Sequence, residues 1–470
     1  MSNTSYEAIV IGAGPGGYPC GIRLAQLGVK TLVVEKESFG GVCLNWGCIP
    51  SKALIAATGL LDKIKRAETM GIAVSDLTLD VGRMQDWKDG IVKKLTSGVR
   101  SLLKGNGADT VLGEAKLVGK NKVEVREANG EVKVYEATKG IVIATGARVV
   151  QLPNLPYDGE VVISAREAVS LREAPKRMLV VGGGVIGLEL GMVYMKLGTE
   201  VTIVELTPDL LPGVDRDLVR VVEKHLKKGG ARVLTETKAS NVEIGGGVAK
   251  VTLEGKGGSE TLEFDKVLVS VGFKPNTDGL GLTEVGVKLD ERGHVKVNER
   301  LETSVKGIYA IGDVSGAPYL AHKATHEGEI CAEVIAGHNA AIDYRAMPAA
   351  IFTEPEIATV GMTETQAERD GRKVKIGKFP FAASGRALAV DSTDGFVKTI
   401  VDAEDHQVLG VAIVGPEASD LISEASLAIE MGAFAEDVTL TIHPHPTLGE
   451  TVMESFKHAI GEAVHVMNKK

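Results

Sequence analysis

The stretch that decides the fold is Ile9-Val10-Ile11-Gly12-Ala13-Gly14-Pro15-Gly16-Gly17, near the start of the chain. It joins a short apolar strand, Tyr6 to Gly12, to a helical stretch that continues to Leu27. A second strand, Thr31 to Val34, follows and ends in Glu35. A strand, a glycine-rich turn, a helix and a strand ending in an acidic residue are typical of a dinucleotide-binding βαβ unit.

The same pattern returns 170 residues further along the chain. The strand Met178 to Val181 leads into Gly182-Gly183-Gly184-Val185-Ile186-Gly187, and a helical stretch runs to Leu197. The strand Glu200 to Val204 then ends in Glu205. A single glycine-rich motif is weak evidence, because a tight turn without a ligand explains it equally well. Two complete units with the same internal spacing predict two nucleotide sites.

The glycines of each unit have separate expected roles. The first allows a tight turn, the second lets the backbone approach a pyrophosphate, and the third lets the helix pack on the strand. The expected contacts are Gly12, Gly14 and Gly17 in the first unit and Gly182, Gly184 and Gly187 in the second.

Glu35 and Glu205 stand where a carboxylate accepts hydrogen bonds from an adenosine ribose. A 2′-phosphate would need a nearby cation, and no lysine or arginine follows Glu205 before Arg216. Because an anionic carboxylate repels a phosphate, the second site is predicted to bind NAD rather than NADP.

Two cysteines five residues apart, Cys43 and Cys48, follow the first unit. No second Cys or His pair lies at ligand spacing, so the pattern does not predict a zinc site. The pair can form a small-loop disulfide that is easily reduced. Pro50 fits the first turn of a helix, which would place Cys48 at a positive N-terminus and favour its thiolate. The alternative, a pair of buried structural thiols, suits Cys20 and Cys331 better, since each lies in a helical apolar pattern.

Composition restricts the class of protein. The chain has 470 residues, enough for about three domains, with 44% hydrophobic and 24% charged residues and a formal charge of −9. The charge is mildly acidic and mixed along the chain, so the sequence does not predict a basic surface for nucleic acid or an anionic membrane. No apolar run is long enough to cross a bilayer, and Met1 to Glu7 lacks the pattern of a secretion signal. Four cysteines are too few for a secreted disulfide scaffold, so a cytoplasmic protein is expected.

The predicted fold class is α/β, with two Rossmann-like dinucleotide-binding domains and a C-terminal α+β domain. The expected domain ranges are 1–148, 149–273, 274–346 (a return to the first domain) and 347–470. Between the two units the sequence predicts helices Lys52 to Arg66 and Trp87 to Lys104, hairpin strands within Thr110 to Glu136, and a buried strand Gly140 to Ala144. The last domain is predicted to contain antiparallel strands Phe396 to Val401 and Val408 to Val414 and helices Ser419 to Met431 and Leu448 to Ala463.

The segment Gly40 to Lys52 resembles the redox-active disulfide segment of the FAD-dependent pyridine nucleotide–disulfide oxidoreductases. This family includes dihydrolipoamide dehydrogenases, glutathione reductases and mercuric reductases. The resemblance extends over essentially the whole chain, in order. Its further motifs are Gly12 to Gly17, Ala144-Thr145-Gly146, Gly182 to Gly187, Thr303 to Asp313 and His443 to Glu450.

The resemblance implies FAD at the first site, NAD at the second, and a redox-active Cys43–Cys48 disulfide beside the flavin. Implied contacts to FAD are Lys52 with Glu189 near the flavin, Ala115 at the adenine half, Thr145 and Gly146, Asp313 at the ribityl chain and Ala321 beside the flavin. Ala239 and Gly272 are implied to line the NAD site, and no metal is expected.

The C-terminal motif is implied to supply the proton chemistry. His445 matches the family's acid/base histidine and Glu450 the carboxylate that orients it. In the family this histidine reaches the disulfide of the other subunit, so a homodimer is expected, with the C-terminal domain as a two-fold interface. His443 is interpreted as an ordinary loop histidine. Pro444 departs from the family pattern, which more often has alanine there, and could shift the loop slightly.

Within the family, the chain looks most like the members that oxidise dihydrolipoamide with NAD. It has no cysteine pair near its C-terminus, as mercuric reductases do, and glutathione reductases mostly use NADP, which Glu205 disfavours. The implied partners are the lipoyl domain and acyltransferase core of 2-oxo acid dehydrogenase complexes, or a glycine cleavage system. The alternatives are another disulfide reductase, a non-catalytic component of a multienzyme assembly, and an NADH diaphorase.

Overall fold

The first glycine-rich turn follows a central strand of a six-stranded sheet in the computed structural model, which describes residues 4–468. Its parallel part consists of neighbouring strands in the order Asp109–Gly119, Thr31–Glu35, Ser5–Ile11, Val132–Ile143 and Ile308–Ala310. The strands Ser5–Ile11 and Thr31–Glu35 are almost entirely buried, as expected for a parallel sheet covered on both faces.

One strand of this sheet differs from the prediction. The expected hairpin arm and the expected buried strand Gly140 to Ala144 form one continuous strand, Val132–Ile143. Its first half pairs antiparallel with Lys122–Glu127, and its second half pairs parallel with Ser5–Ile11. The prediction of two separate strands was wrong because the burial pattern changes from alternating to continuous where the strand changes neighbours.

The second unit forms a five-stranded parallel sheet. Its order is Arg232–Leu234, Glu200–Val204, Arg177–Val181, Lys266–Val269 and Val162–Ile163. An antiparallel sheet of Lys238–Gly245, Val248–Gly255 and Gly258–Phe264 lies beside it. A two-stranded ribbon, Ala147–Val149 with Phe273–Pro275, joins the first and second units.

The last part of the chain is built on a five-stranded antiparallel sheet, as predicted. Its order is Ala349–Ile351, Glu356–Gly361, Val408–Gly415, Phe396–Asp402 and Val374–Pro380. The helix expected at Leu448 to Ala463 is shorter, Glu450–Ile460, and ends at Gly461, whose φ of +82° stops the helix.

The helices connect and cover these sheets. The α-helices are Gly17–Gln26, Gly41–Asn45, Cys48–Arg66, Val81–Gly105, Ala165–Ala168, Val185–Lys196, Arg216–Lys228, Leu282–Val285, Ala321–Ala336, Glu364–Arg369, Gly385–Ala389, Ala418–Glu430, Ala435–Leu440 and Glu450–Ile460, and the 3-10 helices are Ala67–Met70, Gly312–Ser315 and Phe381–Ala383. Within residues 4–468 no helix combines the length and apolar character needed to cross a bilayer.

Close helix packing fixes the position of the first glycine-rich turn. Helix Ala321–Ala336 lies against helix Gly17–Gln26, and a Cβ at Gly328 would lie 2.4 Å from the Gly16 carbonyl oxygen. Cys20 and Cys331 are fully buried in these two helices, as the interpretation of both as structural thiols requires.

Candidate active site

The glycines of the first turn have the steric properties that a dinucleotide site needs. A Cβ at Gly12 would lie 2.3 Å from the Ala144 carbonyl oxygen, and one at Gly17 would lie 1.9 Å from the Gly12 oxygen. Around Gly14, in contrast, the nearest atom to such a Cβ is 3.8 Å away, at Gly41. The turn is therefore tight where strand and helix meet and open where a ligand would approach.

The second turn repeats this arrangement. A Cβ at Gly182 would lie 2.5 Å from the Ser270 carbonyl oxygen, and one at Gly187 would lie 2.2 Å from the Gly182 oxygen. No atom of the described residues lies within 4 Å of a Cβ built at Gly184, which directly precedes helix Val185–Lys196. Its backbone and the free N–H groups of the helix start can thus be reached by an anion.

Both predicted ribose-binding carboxylates are held against their own glycine-rich turn. The Glu35 side chain accepts a hydrogen bond from Ala13 N at 2.8 Å, and Glu205 accepts one from Gly183 N at 2.7 Å, each across 22 residues. Glu205 also accepts from Thr207 N at 2.8 Å. Each carboxylate is therefore fixed at the end of its second strand, beside the entrance to the turn.

The two cysteines lie on successive helices within the first domain. Cys43 lies on helix Gly41–Asn45, and Cys48 is the first residue of helix Cys48–Arg66, as the position of Pro50 predicts. Both side chains are partly buried. A Cβ at Gly47 would lie 3.3 Å from Cys43 Cα, so the glycine lets the loop bring the two cysteines together.

The two thiols have different acidities. The Cys43 thiol donates a hydrogen bond to the Cys48 sulfur, and this bond, with burial, raises the pKa of Cys43 far above its usual range. The same bond lowers the pKa of Cys48 to about 7, against the effect of burial and with help from the positive charge of Lys52. The start of a helix also favours a thiolate at Cys48. The site thus holds a protonated Cys43 beside a Cys48 that ionises near neutral pH.

Lys52 and Glu189 meet as an ion pair across 137 residues. Lys52 Nζ donates to Glu189 Oε2 at 2.8 Å, and Glu189 Oε1 accepts from Phe352 N at 2.9 Å. Lys52 Nζ also lies 4.5 Å from the centroid of the Phe352 ring. Phe352 was not predicted, because nothing in the local sequence of the C-terminal domain indicates that this apolar residue packs against Lys52 of the first domain.

Thr145 and Gly146 lie at the junction between the domains. Thr145 Oγ1 donates to the Asn276 carbonyl at 2.7 Å, and Asn276 Nδ2 donates to the Thr145 carbonyl at 2.9 Å. Gly272, with a φ of +114°, lies at the same junction, and its carbonyl accepts a hydrogen bond from Val150 N at 3.0 Å. Asn276 was not predicted, although its position directly after the strand Phe273–Pro275 would have made it a candidate.

Asp313 occupies the 3-10 helix Gly312–Ser315, where burial raises the pKa of its carboxyl group to about 6. It has no hydrogen-bond partner for that carboxyl group among residues 4–468. Behind it, the buried pair Lys323 and Glu327 is joined at 3.0 Å, and Glu327 accepts from Gly312 N at 2.6 Å. The spacing of four residues on a helix could have indicated this supporting pair, which sequence reasoning did not assign.

Three predicted contact positions are alanines. Ala321 is the first residue of helix Ala321–Ala336, which also carries Lys323 and Glu327. Ala115 and Ala239 are buried in apolar clusters, so only their backbone atoms are available to a ligand. The Ala239 carbonyl already accepts a hydrogen bond from Asn154 Nδ2 at 3.1 Å.

His445 and Glu450 form the predicted pair at the C-terminal domain. His445 Nδ1 lies 2.9 Å from Glu450 Oε1, while Glu450 Oε2 accepts from Thr447 N at 2.8 Å. Although burial opposes it, these bonds lower the pKa of Glu450, so the carboxylate is ionised and can orient the ring. The His445 side chain is 81% exposed, and no hydrogen bond among residues 4–468 joins it to either cysteine.

Comparisons with known proteins agree with this geometry. Residues 6–328 match the family model described as pyridine nucleotide-disulphide oxidoreductase, and residues 347–456 match the dimerisation domain of the same family. The chain is 48% identical over 463 residues to a dihydrolipoyl dehydrogenase of Geobacillus stearothermophilus, with 98% of each chain covered. It is 49% identical to that of Thermus scotoductus, covering 99% of this chain and 100% of the other.

Solved structures give the same result. LpdA from Mycobacterium tuberculosis superposes with a TM-score of 0.90 at 28% identity, covering 96% of this chain and 99% of the other. The HOCl-induced flavoprotein disulfide reductase RclA from Escherichia coli superposes with a TM-score of 0.85 at 25% identity, covering 96% and 99%. The chain has two glycine-rich turns suited to a dinucleotide, a cysteine pair beside the first turn, and a matching dimerisation domain. It belongs to the pyridine nucleotide-disulphide oxidoreductase family.

Proposed function

We propose that this protein is an NAD-dependent dihydrolipoyl dehydrogenase that oxidises dihydrolipoyl groups through a Cys43–Cys48 disulfide. The observation that carries the proposal is the placement of Cys43 and Cys48 on successive helices beside the first glycine-rich turn, where Lys52 helps to lower the pKa of Cys48 and the pKa of Cys43 is raised. Such a pair suits one cysteine to exchange with a substrate thiol and the other to hold negative charge. The names of the relatives at 47–49% identity support this substrate over other disulfides.

FAD fits the first site and NAD the second. The first turn is open at Gly14, Glu35 lies beside it, and the Asp313 carboxylate is free to accept a hydroxyl. The second turn is open at Gly184, and Glu205 disfavours a 2′-phosphate. When bound, FAD would supply two-electron transfer between the dithiol and NAD+. Lys52 with its partner Glu189, Thr145, Gly146, Ala115 and Ala321 would complete the FAD site. Ala239 and Gly272 would line the NAD site.

The protein's own chemistry is a thiol–disulfide exchange. A substrate thiolate forms a bond to Cys43 Sγ while the Cys43–Cys48 bond breaks and Cys48 leaves as a thiolate. The second substrate thiolate then bonds to the first substrate sulfur, and Cys43 leaves and takes up a proton. The substrate loses two electrons and two protons, and the protein disulfide becomes a Cys43 thiol and a Cys48 thiolate, so that one of the two protons is left for the base. The positive charge of Lys52 stabilises the Cys48 thiolate that results.

His445 takes a proton from the attacking substrate thiol, with Glu450 orienting its ring, and the other substrate proton ends on Cys43. Because His445 is exposed and not bonded to the cysteines of its own chain, the site is proposed to be completed by a second copy. Large apolar side chains near it are exposed, Leu440 at 80% and Ile442 at 95%. An exposed apolar patch of this kind marks an interaction surface. A homodimer through the 347–456 region would cover it, and sedimentation should give the dimer mass.

The test of the function is dihydrolipoamide-dependent NADH formation by wild type and by Cys43→Ser. The variant should retain bound FAD, because Cys43 lies outside both glycine-rich turns, and should lose turnover by more than about a thousandfold. Cys20→Ser is the matched control, since that thiol is buried elsewhere, and should stay active. Turnover by Cys43→Ser near the wild-type rate would refute the proposal.

The same assay separates the other candidate functions. A diaphorase would pass electrons from NADH to a dye equally well after alkylation of Cys43 and Cys48, whereas lipoyl turnover would stop. The finer assignments, a lipoyl domain with its acyltransferase core as partner and a cytoplasmic location, are proposed from the substrate and from the sparse cysteines.

A further inference from the structure

The loop between the two cysteines carries Trp46, which is covered by an arginine from a distant part of the chain. The Arg166 guanidinium carbon lies 3.9 Å from the centroid of the Trp46 ring. This is well inside the roughly 6 Å range of a cation–π contact, and tryptophan is the strongest aromatic partner. Trp46 ends helix Gly41–Asn45, and its backbone N–H donates to the Val42 carbonyl at 2.8 Å. A contact that fixes the Trp46 ring therefore also restricts the backbone between Cys43 and Cys48.

The backbone around Arg166 is rigid. Arg166 lies in the short helix Ala165–Ala168, whose start is held by a reciprocal capping box between Ser164 and Glu167. Ala168 is fully buried, and its carbonyl accepts a hydrogen bond from the hydroxyl of the buried Tyr194. The arginine therefore projects from a fixed point of the second nucleotide-binding unit.

Arg166 also contacts the loop that follows the ribose carboxylate. Its Nη2 donates to Glu37 Oε1 at 2.5 Å, and Glu37 N donates to Glu35 Oε1 at 2.8 Å. One side chain from the second unit thus contacts the loop between the cysteines and the segment beside Glu35 at the same time.

We propose that Arg166 is a positioning residue that holds the 43–48 redox loop in its exchange-competent conformation by stacking on Trp46. The inference rests on the proposed function, in which this loop carries the reacting sulfurs. Arg166 acts on the conformation of the loop and not on the charge of the thiols, because Lys52 is the cation that lowers the pKa of Cys48.

The chain contains two tryptophans, so Trp87→Phe leaves Trp46 as the only source of tryptophan fluorescence. Trp87 is half exposed on helix Val81–Gly105, far in sequence from the redox loop. In this background, Arg166→Met removes the cation, Arg166→Lys keeps one, and Arg172→Met is the matched control. Arg172 forms an exposed ion pair with Asp86 at 2.8 Å and does not stack on Trp46.

Two readouts are measured on the purified holoenzyme reduced with dithiothreitol: acrylamide quenching of Trp46, and the rate of iodoacetamide alkylation of Cys43 and Cys48 by peptide mass spectrometry. Arg166→Met should raise both by about two- to fivefold, the equivalent of one cation–π contact. Arg166→Lys should restore most of the wild-type behaviour, and Arg172→Met should match wild type. The kcat should fall in Arg166→Met, where alkylation rises.

If Arg166→Met equals Arg172→Met in both readouts, the proposal is wrong. A change in quenching without a change in alkylation would also overturn it, because the contact would then not position the sulfurs. Neither readout needs lipoyl turnover, so a holoenzyme that fails to oxidise dihydrolipoamide would refute the proposed function while both measurements still decide the role of Arg166.

Discussion

At the scale of single residues, the chemistry depends on differences between groups of the same type. Cys43 and Cys48 are both cysteines, yet the direction of one hydrogen bond and the nearby charge of Lys52 make one the thiol and the other the thiolate. His443 and His445 are two residues apart, yet His443 is 7% exposed and paired with Glu424, whereas His445 is 81% exposed. Only His445 can meet a substrate.

Glu450 should matter for turnover and Glu424 should not. Glu450→Gln can still accept from Thr447 N, but its neutral amide cannot stabilise a charged imidazole. We expect kcat to fall by about 10- to 100-fold, part of the roughly 10²- to 10⁴-fold that a positioned base supplies. Glu424→Gln, which changes the partner of His443 in the same loop, is the control in the NADH-formation assay. Equal rates for the two variants would contradict the assignment of the base.

Residue roles could be predicted where local pattern determines them. Glu35 and Glu205 are placed by the strand that each one follows, and each meets its own turn as the spacing requires. Contacts between domains could not be predicted. Phe352 lies 163 residues from Glu189, and its backbone N–H is bonded to that side chain only because the domains fold together.

At the scale of elements, the two βαβ units share the same pattern of tight and open glycines, although they are assigned to different nucleotides. In each, the third glycine lies so close to the first that no side chain fits, and the second glycine is open. The third glycine is needed for folding, whereas the second glycine is needed for the approach of the ligand. The same substitution should therefore have different effects at these two glycines.

Gly187→Ala and Gly184→Ala test this difference. An added Cβ at Gly187 would lie 2.2 Å from the Gly182 carbonyl oxygen, so the free energy of unfolding should fall by about 1–3 kcal/mol. Gly184 has an ordinary φ of −79° and open space, so Gly184→Ala should keep wild-type stability. It should instead weaken NADH binding by about tenfold. Denaturant unfolding and NADH titration measure the two effects, and loss of stability in both variants would count against the ligand role of Gly184.

Element types followed from periodicity and capping, whereas some boundaries did not. The helix after the disulfide begins at Cys48 because Gly47 precedes it and Pro50 fits its first turn. The strand Val132–Ile143 was predicted as two, because a strand that changes neighbours also changes its burial pattern. Its continuity is a property of the sheet and not of the local sequence.

At the scale of the whole molecule, a buried charge network joins the second unit to the C-terminal sheet. Lys398 is fully buried, and its Nζ lies 2.8 Å from Asp215, 3.0 Å from Asp217 and 2.8 Å from Glu364. Asp215 and Asp217 stand at the start of helix Arg216–Lys228, and Lys398 lies in the strand Phe396–Asp402. No pattern in the sequence indicates this pairing across 183 residues.

Removing Lys398 should destabilise the protein and change its response to acid. Lys398→Met leaves Asp215 and Glu364 without their cation, and Asp217 with Lys378 alone. The free energy of unfolding at pH 7 should therefore fall by about 3–5 kcal/mol. Lys375→Met, an exposed lysine of the neighbouring strand, should change stability by less than about 0.5 kcal/mol. Urea denaturation of the holoenzyme measures both, and equal midpoints would show that the network is not stabilising.

The acid response follows from the direction of the pKa shifts. Against the effect of burial, hydrogen bonds from Lys398 lower the pKa of Asp215, and those from Lys378 and Lys398 lower the pKa of Asp217. A lowered carboxyl pKa contributes stability above its unfolded value of about 3.9, and this stability is lost as the pH falls through the folded value. Wild type should therefore lose stability below about pH 4, and Lys398→Met should show a shallower loss over the same range.

The central claim is that Cys43 and Cys48 are the pair that alternates between disulfide and dithiol, and differential alkylation read by peptide mass spectrometry tests it most directly. Anaerobic holoenzyme is alkylated under denaturing conditions before and after one equivalent of NADH. Cys43 and Cys48 should be protected before NADH and modified after it, while Cys20 and Cys331 should be modified equally in both samples. Free Cys43 and Cys48 thiols in the oxidised enzyme, or a pair that NADH leaves protected, would contradict it.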